Sequence, residues 1–155
     1  MPDSNTYAPV SLIKRLLAII YDLFLLTAIC FSVAVIVSIF TTFIMNEGNA
    51  ITEEHPFYLI NKIIMLCTIF ITGFLFYVWF WTHGGQTLGM KTWMIKLVAD
   101  DGGVIGKKQA AFRCLAAVLS WCAFGLGFLW SLIDSKKRTW HDILSSSHLV
   151  QLEKK

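Results

Sequence analysis

The chain has 155 residues and a formal net charge of +3, with 56% hydrophobic against 15% charged residues. A single domain of that size buries too little of its surface to hide so much apolar area from water, so a soluble globule is excluded and lipid takes up the excess. The basic residues lie in connecting segments and tails rather than on a recognition helix or an RNA-binding strand, which sets nucleic acid aside as a partner.

Residues 1–10 are polar, carry Pro2 and Pro9, and read as a flexible tail; Ser11 is placed to cap a helix. From Leu16 to Met45 the only charge is Asp22. That run makes about 45 Å of helix, against a hydrocarbon core of about 30 Å, so it spans once with tilt and is too short to span twice. It is also far longer than the core of a signal peptide, and reads as a permanent span. Residues 46–56 form an acidic connection with Glu47, Glu53 and Glu54 and no Lys or Arg. A second apolar run, Phe57 to Trp81, follows. Lys62 near its start can snorkel to the interface, and Tyr77, Trp79 and Trp81 near its end make an aromatic belt.

Residues 82–109 are polar and basic, with Lys91, Lys96, Lys107 and Lys108. Asp100-Asp101-Gly102-Gly103 lies between Met94–Val98 and Val104-Ile105, which predicts a small β-hairpin on the membrane surface. Gly84 and Gly89 have phosphate-loop spacing, but Met90 stands where lysine must follow and no strand precedes, so nucleotide binding is rejected and the glycines are read as ending a helix. A third apolar stretch runs from Ala110 to Ile133, with Arg113 near its start and Gly125 and Gly127 within it. The tail then carries Lys136-Lys137-Arg138, a polar linker and a β-prone piece, His148–Leu152.

Charge bias places the Lys14-Arg15 end and the 82–109 segment in the cytoplasm and the acidic connection outside. A simple third span would carry the Lys136-Lys137-Arg138 cluster outside. The favoured reading is therefore a re-entrant helical hairpin turning near Gly125–Gly127, with both termini cytoplasmic; three plain spans are the alternative. The expected architecture is an all-α membrane protein of two transmembrane helices plus this re-entrant or third element and a small cytoplasmic β-hairpin.

With the helix entering lipid near Leu16, Asp22 sits about 9 Å into the membrane, where an unpaired carboxylate costs several kcal/mol; a helix set higher leaves it at the interface, where it is unexceptional. It is either a proton or cation site or half of an ion pair that packs helices. Arg15, two turns earlier, either anchors to lipid phosphate or is a counter-charge for Asp22 or Asp142; Arg113 presents the same choice. Asp142 reads as a helix cap or as the partner of a membrane arginine. His141, His83 and His55 do not assemble a metal set, with His55 on the opposite side. Cys30, Cys67, Cys114 and Cys122 lie in apolar runs without CxxC spacing and read as small buried side chains. There is no nucleophile-base arrangement or carboxylate pair, so no enzyme, cofactor or metal site is expected.

Taken together, KRLLAIIYDLFLL with Arg15 and Asp22, GGQTLGMKTWMIKLVADDGG followed by Arg113, and KKRTWHDILSSSHLV with Asp142 resemble the RDD family of small bacterial and archaeal membrane proteins. The resemblance covers residues 11–150, leaving 151–155 as a tail, and departs at Ser147, where the family often has threonine after a small pair. It implies that the arginines and aspartates are the key residues, in a bacterial plasma membrane. It also implies transport, with ion or proton exchange suggested for some members. Two functions remain open. One is a transporter of ions or small solutes using Asp22, tuned by Arg15 and completed by Asp142 and Arg113. Two spans wall off little pathway, so this reading calls for a homo-oligomer. The other is a non-transporting scaffold that binds a membrane-protein partner or anionic lipid through its basic loop.

Overall fold

The computed structural model of the protein describes residues 9–49 and 51–152. Most of the expected tail over 1–10, and the last three residues of that over 151–155, lie outside the described residues. The element order is α1 (Leu12–Asn46), α2 (Tyr58–Thr82), α3 (Leu88–Thr92), β1 (Ile95–Ala99), α4 (Lys107–Cys122), α5 (Leu126–Leu129), a 3₁₀ turn (Trp130–Leu132), α6 (Trp140–Leu144) and β2 (Ser147–Gln151). The two expected spans are present as α1 and α2, both long and apolar enough to cross a membrane. Neither proline nor glycine interrupts α1, and lipid forces every backbone amide of such a run into the helical ladder despite its β-branched residues. Left-handed Glu47 (φ 50°) and Gly48 (φ 90°) lie just beyond its end.

The chain forms two compact units, one of residues up to Leu23 with those from Phe76 on, the other Phe24–Leu75. The second unit holds the apolar lengths of α1 and α2 and their acidic connection. Phe31, Phe40, Phe43 and Leu66 point outward there, as lipid-facing side chains do. Thr41, Thr68 and Thr72 return their hydroxyls to carbonyls one turn back, so these donors are satisfied without water. Cys67 in this unit and Cys122 in the other are exposed rather than buried, a correction to the expectation from apolar context. Apolar runs in a membrane protein face lipid as readily as protein.

In the first unit, Asp100–Gly103 does form a turn, closed by the Gly102 amide on the Ala99 carbonyl (2.8 Å) and the Ala99 amide on that of Gly103 (3.0 Å). The partner strand differs from the local hairpin expected. β1 pairs antiparallel with β2, Ile95 opposite Gln151 and Ala99 opposite Ser147. The reason is length: the Gly106 amide is already taken by Gln109 Oε1 (3.0 Å) at the start of α4, leaving Val104-Ile105 too short to return as a strand. Ile95 and Leu97 are fully buried, and the β-prone C-terminal piece pairs alongside them in that register. Gly85 must be glycine here: its φ is +71°, and a Cβ would lie 2.5 Å from the Leu97 carbonyl oxygen.

The third apolar stretch is bent. α4 and the α5–3₁₀ segment lie at 107°, broken at Ala123–Gly125, where Phe124 (φ 53°) and Gly125 (φ 78°) are left-handed. α5 folds back on α4 so closely that a Cβ on Gly127 would lie 2.1 Å from Ser120 Oγ. Near the start of α1, Pro9 bridges Val150 and Lys14 Nζ donates to Gln151 Oε1 (2.7 Å). The N-terminal end of α1 and the C-terminal strand therefore lie against one another.

Candidate functional site

Among the described residues of the first unit four charged side chains, Arg15, Asp22, Arg113 and Asp142, are buried, and each sits where a neighbouring element supplies its partner. Asp142 is the third residue of α6, whose N-cap is Thr139. The Thr139 amide donates to Asp142 Oδ2 (2.9 Å) and the Asp142 amide to Thr139 Oγ (3.3 Å), a reciprocal cap. The same carboxylate receives both arginines. Arg15 Nη1 donates to Oδ2 at 2.6 Å and Arg113 Nη2 pairs with Oδ1 at 2.5 Å. The rest of each guanidinium is largely tied down. Arg15 Nη2 donates to the Lys137 carbonyl (2.9 Å), Arg113 Nη1 donates to Ser147 Oγ (2.8 Å), and Arg113 stacks over the Trp81 ring at 5.3 Å. Ser147, the residue that departs from the family pattern, thus holds Arg113.

Asp22 is treated differently. Its Oδ2 accepts from Thr87 Oγ (2.5 Å) and its Oδ1 from the Gly89 amide (2.8 Å), at the amino end of α3. It makes no salt bridge among the described residues. Of the two acids considered as partners for Arg15, the structure places Asp142 against it. Thr87 in turn caps α3 by accepting from the Met90 amide (3.2 Å). The stretch that mimics a phosphate loop therefore serves as a turn, a cap and, at Gly89, a close contact with α1.

Around these groups is a cavity of about 180 Å³, walled by Arg15, Asp22, Tyr77, Trp81, Arg113 and His141 together with apolar side chains. Thr87, Gly89, Thr139, Ser147 and Trp81 were not singled out by sequence for these contacts. Only Thr139 had a readable signal there, its Thr-x-x-Asp spacing to Asp142.

Burial alone would push the Asp142 carboxyl up, but Arg113 and then Arg15 overcome it and hold the group well below the usual carboxylate range. Burial, and next the Arg113 charge, push His141 down to about 3, so it is neutral. Both folded values lie below the unfolded ones, so the unfolded chain binds more protons and stability falls as pH falls. Each group's contribution is intact above its unfolded pKa and disappears toward its folded pKa. For His141 the window runs from about 6.5 down to about 3. Thermal unfolding in detergent should show stability dropping below pH 6.5 at up to about 1.4 kcal/mol per pH unit for this one group. His141→Phe should remove that slope; an unchanged slope in the variant would show that His141 does not cause it.

The fold and site define a small membrane-type protein in which two buried arginines share one aspartate beside a separately bonded membrane aspartate. The chain belongs to the RDD family, whose model matches residues 9–146. No curated protein and no solved structure matches it.

Proposed function

We propose that this chain is a non-enzymatic transporter that couples movement of a small solute or ion to protonation or cation binding at Asp22. The observation that carries the reading is the contrast between the two aspartates. Asp142 is locked between two arginines, whereas Asp22 is 2% exposed, lines the cavity and has, among the described residues, no salt bridge to break when its charge changes. A buried carboxyl without a fixed counter-cation is a group whose proton can come and go. Asp142, Arg15 and Arg113 serve as the frame that holds the cavity open at one end of α1.

The protein acts in a bacterial plasma membrane with both termini cytoplasmic and α4–α5 as a re-entrant element. The contact between Pro9 and Val150 and the exposed Lys91, Lys107, Lys108, Lys136 and Lys137 support this orientation. Two spans per chain enclose little pathway, so the working form is a homo-oligomer.

The test is ion-driven pH change in sealed proteoliposomes, native against Asp22→Asn. Asparagine keeps an acceptor for the Gly89 amide and can donate to Thr87 Oγ, so folding should survive. Cation-dependent proton flux in the native protein that vanishes in the variant is the expected result. Absence of flux across a range of cations, from folded and oriented protein, would sink the transport reading in favour of a scaffold or accessory subunit binding a protein partner or anionic lipid.

A further inference from the structure

The cavity beside the arginines is not chemically neutral ground. Arg113 Nε, Trp81 Nε1 and His141 Nδ1 are buried without a hydrogen-bond partner among the described residues, and all three residues line it. Arg113 is 2% exposed, Trp81 8% and His141 5%. Two of the three atoms can only donate, and they belong to side chains already stacked on one another. Buried donors left unmade are costly, and such groups in a concave apolar site are what ligands bond.

Charge points the same way. Two guanidiniums share the single Asp142 carboxylate, so the cluster carries one positive charge in excess. Asp22, the acid that lines the cavity, is bonded to Thr87 and Gly89, and in its protonated form leaves that excess uncompensated. The remaining wall includes Ala18, Ile19, Val118 and Phe128, which offer nothing to a polar body. At about 180 Å³ the space suits a ligand of aromatic-ring size, since cavities of about 150 Å³ accept benzene.

We infer that this cavity binds a small organic monoanion, one carboxylate on an apolar body of about benzoate size, with the carboxylate received by Arg113 Nε and Trp81 Nε1. The inference rests on reading the cavity as the solute's place in transport and names the solute's class. A long acyl chain does not fit within the volume; a short one does, so the acid comes either from solution or from the bilayer.

Calorimetric titration of benzoate into the full chain in zwitterionic nanodiscs tests this without any flux. The expected result is saturable binding to one site per chain, with benzyl alcohol at least about tenfold weaker because it lacks the charge. Trp81→Phe keeps an aromatic face under Arg113 and removes the donor, and should weaken benzoate about tenfold in protein that still unfolds cooperatively. Ala117→Phe, which fills the cavity, should abolish binding. Octanoate that displaces benzoate at lower concentration would assign the acid to the bilayer, and failure to displace would assign it to solution; either keeps the carboxylate class. No saturable binding to folded protein, equal affinity for benzyl alcohol, or full affinity in both variants would overturn the inference. Benzoate binding without flux would leave it standing and remove only the transport reading; cation flux without benzoate binding would do the reverse.

Discussion

Asp142→Asn is expected to cost about 3–5 kcal/mol of stability, although the new side chain has nearly the same shape. Asp142 is fully buried and is the sole acid in contact with the guanidiniums of Arg15 and Arg113 among the described residues. Asparagine removes the negative charge and turns an amide donor toward one of two buried cations. What is lost is therefore less the attraction itself than the neutralisation of charges that stay behind. Arg15 comes from the start of α1, Arg113 from α4 and Asp142 from α6, so three elements lose their common tie. Thermal unfolding in detergent should shift down by roughly 6–20 °C on that basis. A variant melting within about 2 °C of the native protein would mean that the cluster is hydrated or already unpaired, and would remove the frame assigned to it above.

The second large effect is expected at Gly89. A Cβ there would lie 2.2 Å from the Ala18 carbonyl oxygen and 2.9 Å from Asp22 Oδ1. The first of these atoms is backbone within α1, and cannot swing aside as a side chain would. Gly89→Ala must therefore lift α3 off α1, and in doing so breaks the bond from the Gly89 amide to Asp22. A loss of about 3 kcal/mol or more is expected, at the upper end of overpacking effects. Gly84→Ala is the control, since its Cβ would meet nothing within 4 Å. Equal melting temperatures for the two variants would show that α3 is not seated on α1 as described.

Both predictions concern contacts that a linear reading locates only in part. Charged residues inside apolar runs stand out by cost alone, so Asp22 and Arg113 were visible, as was Arg15 at the edge of its run. Their pairing was not: Arg15 and Asp142 are 127 positions apart, and Asp22 and Gly89 are 67. Spacing on one helix suggested Arg15 with Asp22, yet the arginine turns to α6 and the aspartate to α3. The Asp100–Gly103 turn was legible from Asp and Gly, whose preferences are local. The partner of β1 was not, because it depends on which distant strand is brought alongside its edge.

By itself, then, the amino-acid order determined the membrane class, the two spans and the residues too costly to bury idly. Each follows from matching apolar length to bilayer thickness or from the price of a charge in lipid, and neither needs a neighbour. Only the tertiary structure decided which acid neutralises which arginine, that the third apolar stretch bends by 107°, and that Trp81 and Arg113 bring unmet donors to the wall of one cavity. Those outcomes are set by contacts between segments far apart in the chain, where local preference carries no information and packing makes the choice.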